Sequence, residues 1–261
     1  GIYLIAERFQ FPQRVVNLTV PVLMVLLPLL VFHSMLGNRP AYPFSESNLP
    51  TGVVRFLNKH VSNGGKVLND ANTGGYFPWA LKPQFKIYMD MQMAIFSDTD
   101  YAFMRNAFFD ASAFNAFIKK YDPSFISVSL NNPYFNKVIA IDKRFIPVFF
   151  DHAELLYVNK TCHSDLAERY AIKAIDPFSF RQIKYEDLGE DVLTPMFSEA
   201  VRMQGEDPTN YSAHHILSSI SAVRQQYDKA LLHAEAIIRH YPEQSHGYAL
   251  KGDALFGMVR Y

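Results

Sequence analysis

Cysteine is nearly missing from this chain: a single residue, Cys162, in 261. An intrachain disulfide and a cysteine-based zinc cluster are therefore excluded, although a chain of this length can build a core without either. An excess of charge is missing too. Lys plus Arg and Asp plus Glu each number 25, so no global field draws the protein to nucleic acid, and no basic stripe marks a nucleic-acid face. HExxH, GxSxG, Walker and Rossmann patterns do not occur, which removes the commonest protease, hydrolase and nucleotide-binding chemistries. His214, His215, His233 and His240 lie in helical stretches with no carboxylate placed to complete a metal site. Cys162 and His163 are adjacent, and neighbours on an extended chain point apart, so they make a poor nucleophile and base. The sequence indicates no cofactor and no metal.

What is present begins with an apolar run. VVNLTVPVLMVLLPLLVF, Val15 to Phe32, has no charged residue. Extended to Leu36 it would make about 33 Å of helix, against a hydrocarbon core of about 30 Å. Pro21 and Pro28 are tolerated as kinks in a membrane helix, and HSMLGNRPAYP makes a poor signal-peptide cleavage site. A transmembrane helix over 15–36 is expected, within a membrane segment 1–37. Arg8 and Arg14 precede it and Arg39 follows, which puts the N-terminal flank in the cytoplasm and the rest outside. The chain starts at Gly1 without a Met and stops at Tyr261 inside a helical pattern, so it reads as part of something longer.

A linker over 38–48 leads to a stretch, 49–160, whose pattern alternates. LPTGVVRFLNKHV is an amphipathic helix with Thr51 placed to cap it. KVLND, FKIYMD and FISVSL read as strands, and Tyr101 to Tyr121 as one long helix. FIPVFFD and ELLYVNK read as a hairpin around Asp151-His152-Ala153. The expectation is a three-layer α/β soluble domain with the hairpin at one edge. In such sheets ligands collect at the C-terminal ends of strands, and LNDANTGGYFPW sits at one. Asn69, Asp70, Asn72 and Thr73 offer donors and acceptors there. Gly74 and Gly75 allow a close backbone approach, and Tyr76 and Trp79 could stack on a sugar. Asp90 ends the next strand and could share a crevice with Asp70. Two readings stand: a ligand-side corner, or a turn that caps a short helix and buries Trp79.

After a linker over 161–188 comes an all-α segment, 189–261. Pro208 and Pro242 are 34 residues apart, the period of a tetratricopeptide repeat. That register places Leu217, Tyr227, Ala230 and Ala234 at packing positions, Ala200 in an earlier unit, and Tyr248, Ala249 and Gly252 in a later one. Such repeats present a concave surface to a protein or peptide partner.

From the first helix of the middle domain through LNDANTGGYFPW to FKIYMD, the chain resembles a segment of bacterial polytopic membrane proteins similar to C-type glycosyltransferases. The resemblance spans roughly Leu49 to Lys160 and rests on Asn69, Asp70, Gly74, Gly75, Tyr76, Trp79 and Asp90. Met91 and Gln92 stand where that family carries Gly-Arg, and Pro78 replaces an apolar residue. The resemblance implies the C-terminal, periplasmic part of an inner-membrane protein that moves a sugar from a polyprenyl-phosphate donor. The bilayer and a lipid-linked sugar would be its partners, with the repeats holding an acceptor or partner protein. The family's acidic catalytic residue lies in an early loop, so this stretch would lack it and its catalytic residues are unknown. The rival reading is a non-catalytic membrane-anchored scaffold that uses the repeats for protein binding.

Overall fold

Three apolar strands, FISVS, FIPVFF and ELLYVN, gather the middle of the chain into a mixed sheet. The computed structural model describes residues 13–37, 48–89 and 96–260, and these fall into two units, 1–46 and 47–261.

In the first unit, helix α1 covers Gln13–Gly37 with Pro21 and Pro28 inside it. Its side chains from Val22 to Phe32 are exposed. Among the described residues, however, no helix is long and apolar enough to cross a membrane, so the expected transmembrane helix is corrected. Arg8, Arg39 and most of the 38–48 linker lie outside the described residues.

In the second unit, α2 (Thr51–His60) leads to β1 (Gly65–Asn69). Gly64 makes that turn possible, with φ of 70° and the Gln84 carbonyl where a side chain would go. A 3-10 turn (Ala71–Thr73) and the short α3 (Phe77–Ala80) precede β2 (Phe85–Ile87). The long helix expected over Tyr101 to Tyr121 is two: α4 (Asp98–Ala107) and α5 (Ala111–Tyr121). Asp110 explains the break, because its side chain caps the Ala113 amide and starts α5 afresh. β3 (Phe125–Ser129), α6 (Phe135–Ile139), and the hairpin β4 (Phe145–Phe150) and β5 (Glu154–Asn159) complete the sheet.

The strand order is β2-β1-β3-β5-β4. β1 runs parallel to β2 and β3, whereas β5 is antiparallel to both β3 and β4. Helices cover both faces of the hairpin end. Tyr157 and Phe145 meet the rings of Phe135 and Phe114 on one side, and Phe149 stacks on Phe56 of α2 at 4.9 Å on the other. A bulge between Pro147 and Phe149 switches β4 between those faces.

The stretch 161–188, expected as a linker, is packed. It carries α7 (Ser164–Tyr170), and Tyr170, Ile172, Ile175, Phe180 and Tyr185 join the same core as the sheet. Four helices follow: α8 (Glu190–Glu206), α9 (Tyr211–Val223), α10 (Tyr227–His240) and α11 (Ser245–Arg260). Ala200, Leu217, Ala230 and Ala234 are buried and Tyr227 is half-buried. The later positions differ from expectation. Tyr248, Ala249 and Gly252 face outward, and the residues that turn inward on α11 are Gly247, Ala254 and Gly257. Gly247 sits against Ile237 and Gly257 against the Tyr227 ring, so α11 packs on α10 through a different face.

These helices are pinned to the sheet domain by polar contacts that lie far apart in sequence. Glu199 accepts three backbone N–H groups, from Lys173, Ala174 and Ile175. Glu206 accepts from Lys59, His60 and Tyr170. Burial alone would raise its carboxyl, but the hydrogen bonds from Lys59 and His60 outweigh that and hold it below the usual range. Arg55 and Asp207 pair at 2.7 Å.

Candidate functional site

The direction in which strands are added to the sheet reverses at β1. The connection from β1 leads to β2 on one side, and the chain then returns to place β3 on the other. At such a switch point the flanking loops splay apart and leave a crevice at the C-terminal ends of the parallel strands. The crevice here is a cavity of about 250 Å³. Asp70, Asn72 and Thr73 line it from the end of β1, Ser129 and Asn131 from the end of β3, and His152, Ala153 and Glu154 from the β4–β5 turn, with Asn48 at the rim.

Each wall is held by local chemistry. Asp70 Oδ1 accepts the Asn72 amide at 2.8 Å, and the Thr73 hydroxyl donates to the Asp70 carbonyl. Asn69 is buried behind them and donates to the Met89 carbonyl. The turn on the far wall is built on Asp151, whose Oδ1 accepts the amides of Ala153 and Glu154. Its Oδ2 accepts the Val53 amide at 3.0 Å, so Asp151, not Thr51, supplies the side-chain cap at the start of α2. From α9, Ser212 donates to the Asp151 carbonyl and Asn210 to that of Phe150; Arg181 donates to that of His152. The C-terminal helices thus fix the wall of a cavity to which their own sequence gives no clue.

Glu154 is the chemical centre of the site. Its side chain is 1 % exposed. Ser127 donates to Oε2, and Oε1 is buried with no hydrogen-bond partner. Burial pushes the carboxyl up to about 8, partly opposed by the Ser127 and Thr73 hydroxyls and reinforced by the negative charges of Asp151 and Asp70. At neutral pH the group is therefore mostly a neutral acid beside a crevice of amides and hydroxyls. Among the described residues, no Lys or Arg lines the cavity. On the other side of Asp70 and Asn72 lies a second cavity of about 170 Å³, which Arg105, Tyr101 and Phe109 help to line.

Of the residues expected from sequence, Asp70, Asn72 and Thr73 line the cavity. Asn69 and Gly74 are buried, and Gly75 is exposed. Tyr76 and Trp79 lie outside the lining, their rings 6.0 Å apart, with Trp79 65 % exposed. The alternative in which Trp79 enters the core is thereby corrected too. Asp90 lies outside the described residues, and the carboxyl that shares the crevice with Asp70 is Glu154. Sequence reading missed Glu154, Ser127, Ser129 and Asn131. The available signal was a carboxylate opening the otherwise apolar strand ELLYVN, opposite two serines in FISVSL. Among the described residues, no group of three or more His, Cys, Asp or Glu is arranged to hold a metal, and His163 stacks on Phe125 rather than serving Cys162.

The fold and the cavity together define an α/β domain with a small polar cavity at its switch point, braced by C-terminal helices. No family model matches the chain, and neither a curated protein nor a solved structure matches it.

Proposed function

We propose that this region binds the sugar of a glycosyl donor or acceptor and serves a glycosyltransferase-like protein whose donor is a polyprenyl-phosphate sugar. One observation carries the reading: a cavity of about 250 Å³ at the switch point, lined by side-chain amides and hydroxyls. That is just below the about 300–1,000 Å³ of drug-sized sites and suits one monosaccharide ring. Asn72, Asn131, Thr73 and Ser129 match the donors and acceptors of vicinal hydroxyls. The exposed ring of Trp79, outside the cavity, would then meet a larger aglycone or the next sugar. The helices α8–α11 would hold the turn and meet a partner protein.

Saturation-transfer NMR with a mixture of monosaccharides tests this. Sugar protons should saturate with the natural chain and lose that saturation with Asp70→Ala and Asn131→Ala. Equal saturation in the folded variants, or none with the natural chain, would overturn it. A scaffold function for the helices is favoured by Leu255, Phe256 and Val259, exposed together on α11. It would gain if Asp70→Ala left cellular function and partner association intact.

A further inference from the structure

Glu154 lines a cavity rich in donors and acceptors, yet its buried oxygen Oε1 has no hydrogen-bond partner. A polar atom desolvated without compensation costs free energy, and natural structures retain such an atom where a ligand satisfies it. Among the described residues, the lining holds carboxyl groups and the imidazole of His152 but no Lys or Arg. Asp70 faces Glu154 from the end of β1, and Asp151 lies behind the turn that carries His152. From β3 only the uncharged Ser127 and Ser129 approach, and from the 3-10 turn only Thr73. Arg181 reaches the turn from outside, through the His152 carbonyl. Arg105 lines the adjoining cavity, beyond Asp70 and Asn72.

We infer that the group seated at Glu154 is a protonated amine, so that the ligand is an amino sugar rather than a plain one. This rests on the sugar-binding reading above. An ammonium would give Oε1 its missing donor, and its charge would be met by Asp70 and Asp151 as well as by Glu154. The amide and hydroxyl lining would hold the remaining hydroxyls. Seating the ammonium makes the neutral carboxyl give up its proton to the buffer: the O–H bond of Glu154 breaks, and a carboxylate paired with the ammonium replaces it. A neutral sugar would leave that proton in place.

Titration calorimetry at neutral pH separates the outcomes, run in two buffers of different ionisation heat. The ligands are glucosamine, galactosamine and mannosamine, each beside its neutral hexose, with ethanolamine as a bare amine. The protein is the full chain and its Glu154→Gln variant, which keeps the shape and cannot ionise. At least one amino sugar should bind about tenfold or more tighter than its hexose, with heats that reveal proton release. The variant should lose both the preference and the release. Hexoses that bind as well as their amino counterparts, or amino sugars that bind without proton release, would overturn the amine while leaving the sugar site standing. Ethanolamine binding as tightly as any amino sugar would keep the amine and remove the sugar. Binding by none of these ligands would remove both.

Discussion

Replacing Glu154 by Gln should make the protein more stable above mildly acidic pH, by an amount that grows with pH. In the unfolded chain the carboxyl titrates at its ordinary 4.5, and in the folded protein at about 8. Between those values the folded state holds a proton that the unfolded state has released. Stability therefore falls as pH rises through that window, at up to about 1.4 kcal/mol per pH unit. Below about 4.5 the acid is neutral in both states and contributes no slope. Above about 8 it is charged in both, and the accumulated penalty reaches about 5 kcal/mol. Gln is neutral throughout and keeps an acceptor for the Ser127 hydroxyl. Its difference from the natural chain thus isolates the one ionisation. Urea unfolding followed by circular dichroism at pH 5, 6, 7 and 8 would measure that difference directly. The variant should gain on the natural chain by about 3 kcal/mol between pH 5 and 8, after allowing for water that reaches the cavity. A difference that stays flat across the window would refute the reasoning, because it would mean that Glu154 is solvated or charge-paired.

Asp151→Ala removes the carboxylate that holds the amides of Val53, Ala153 and Glu154. It should cost about 2–4 kcal/mol in urea unfolding, and any ligand binding in the cavity should fall with it. Gly52→Ala should destabilise by about 1–3 kcal/mol, despite alanine's better helix propensity. The new Cβ would stand 2.9 Å from Asp151 Cβ and 3.0 Å from an Asp207 oxygen, and both carboxylates are tethered. Thermal melts would show it. Acid should loosen the C-terminal helices. Burial lowers His215 and His233 to about 4, while the unfolded chain takes up protons near 6.5. Stability is thus lost as pH falls from about 6.5 towards 4, by about 1.4 kcal/mol per unit for each histidine. The geometry agrees for His214: its Nε2 donates to the Pro208 carbonyl, leaving Nδ1 to accept from His233 Nδ1 at 3.0 Å, which requires the His214 ring to be neutral. Melts of His233→Gln and His215→Gln should depend less on pH between 5 and 7 than those of the natural chain.

The sequence by itself determined most of the elements and little of their arrangement. Short apolar runs such as FISVS and FIPVFF bounded by turn residues, and the helical stripe of VVRFL, mark strands and helices. Breaks were harder to read. Asp110 splits a helix that periodicity alone would continue, since a cap competes with propensity through a single hydrogen bond. The apolar run over 15–36 was plain in composition, yet among the described residues it gives no helix long and apolar enough to span.

Half of the site was visible. Asp70 and Asn72 stand beside a glycine pair at a strand end, where local turn chemistry reveals them. Trp79 stays out of the core because a four-residue helix does not dictate which face is covered. Glu154 and Asp151 belong to the tertiary structure alone. One becomes a neutral buried acid only when β3, the Asp70 turn and the β4–β5 turn close around it. The other becomes a helix cap only because α2 begins nearly a hundred residues earlier, beside that turn. Local hydrogen bonds and periodicity act over a few residues and can be read along the chain. Desolvation and charge proximity depend on distances through space, and only the folded structure fixes those.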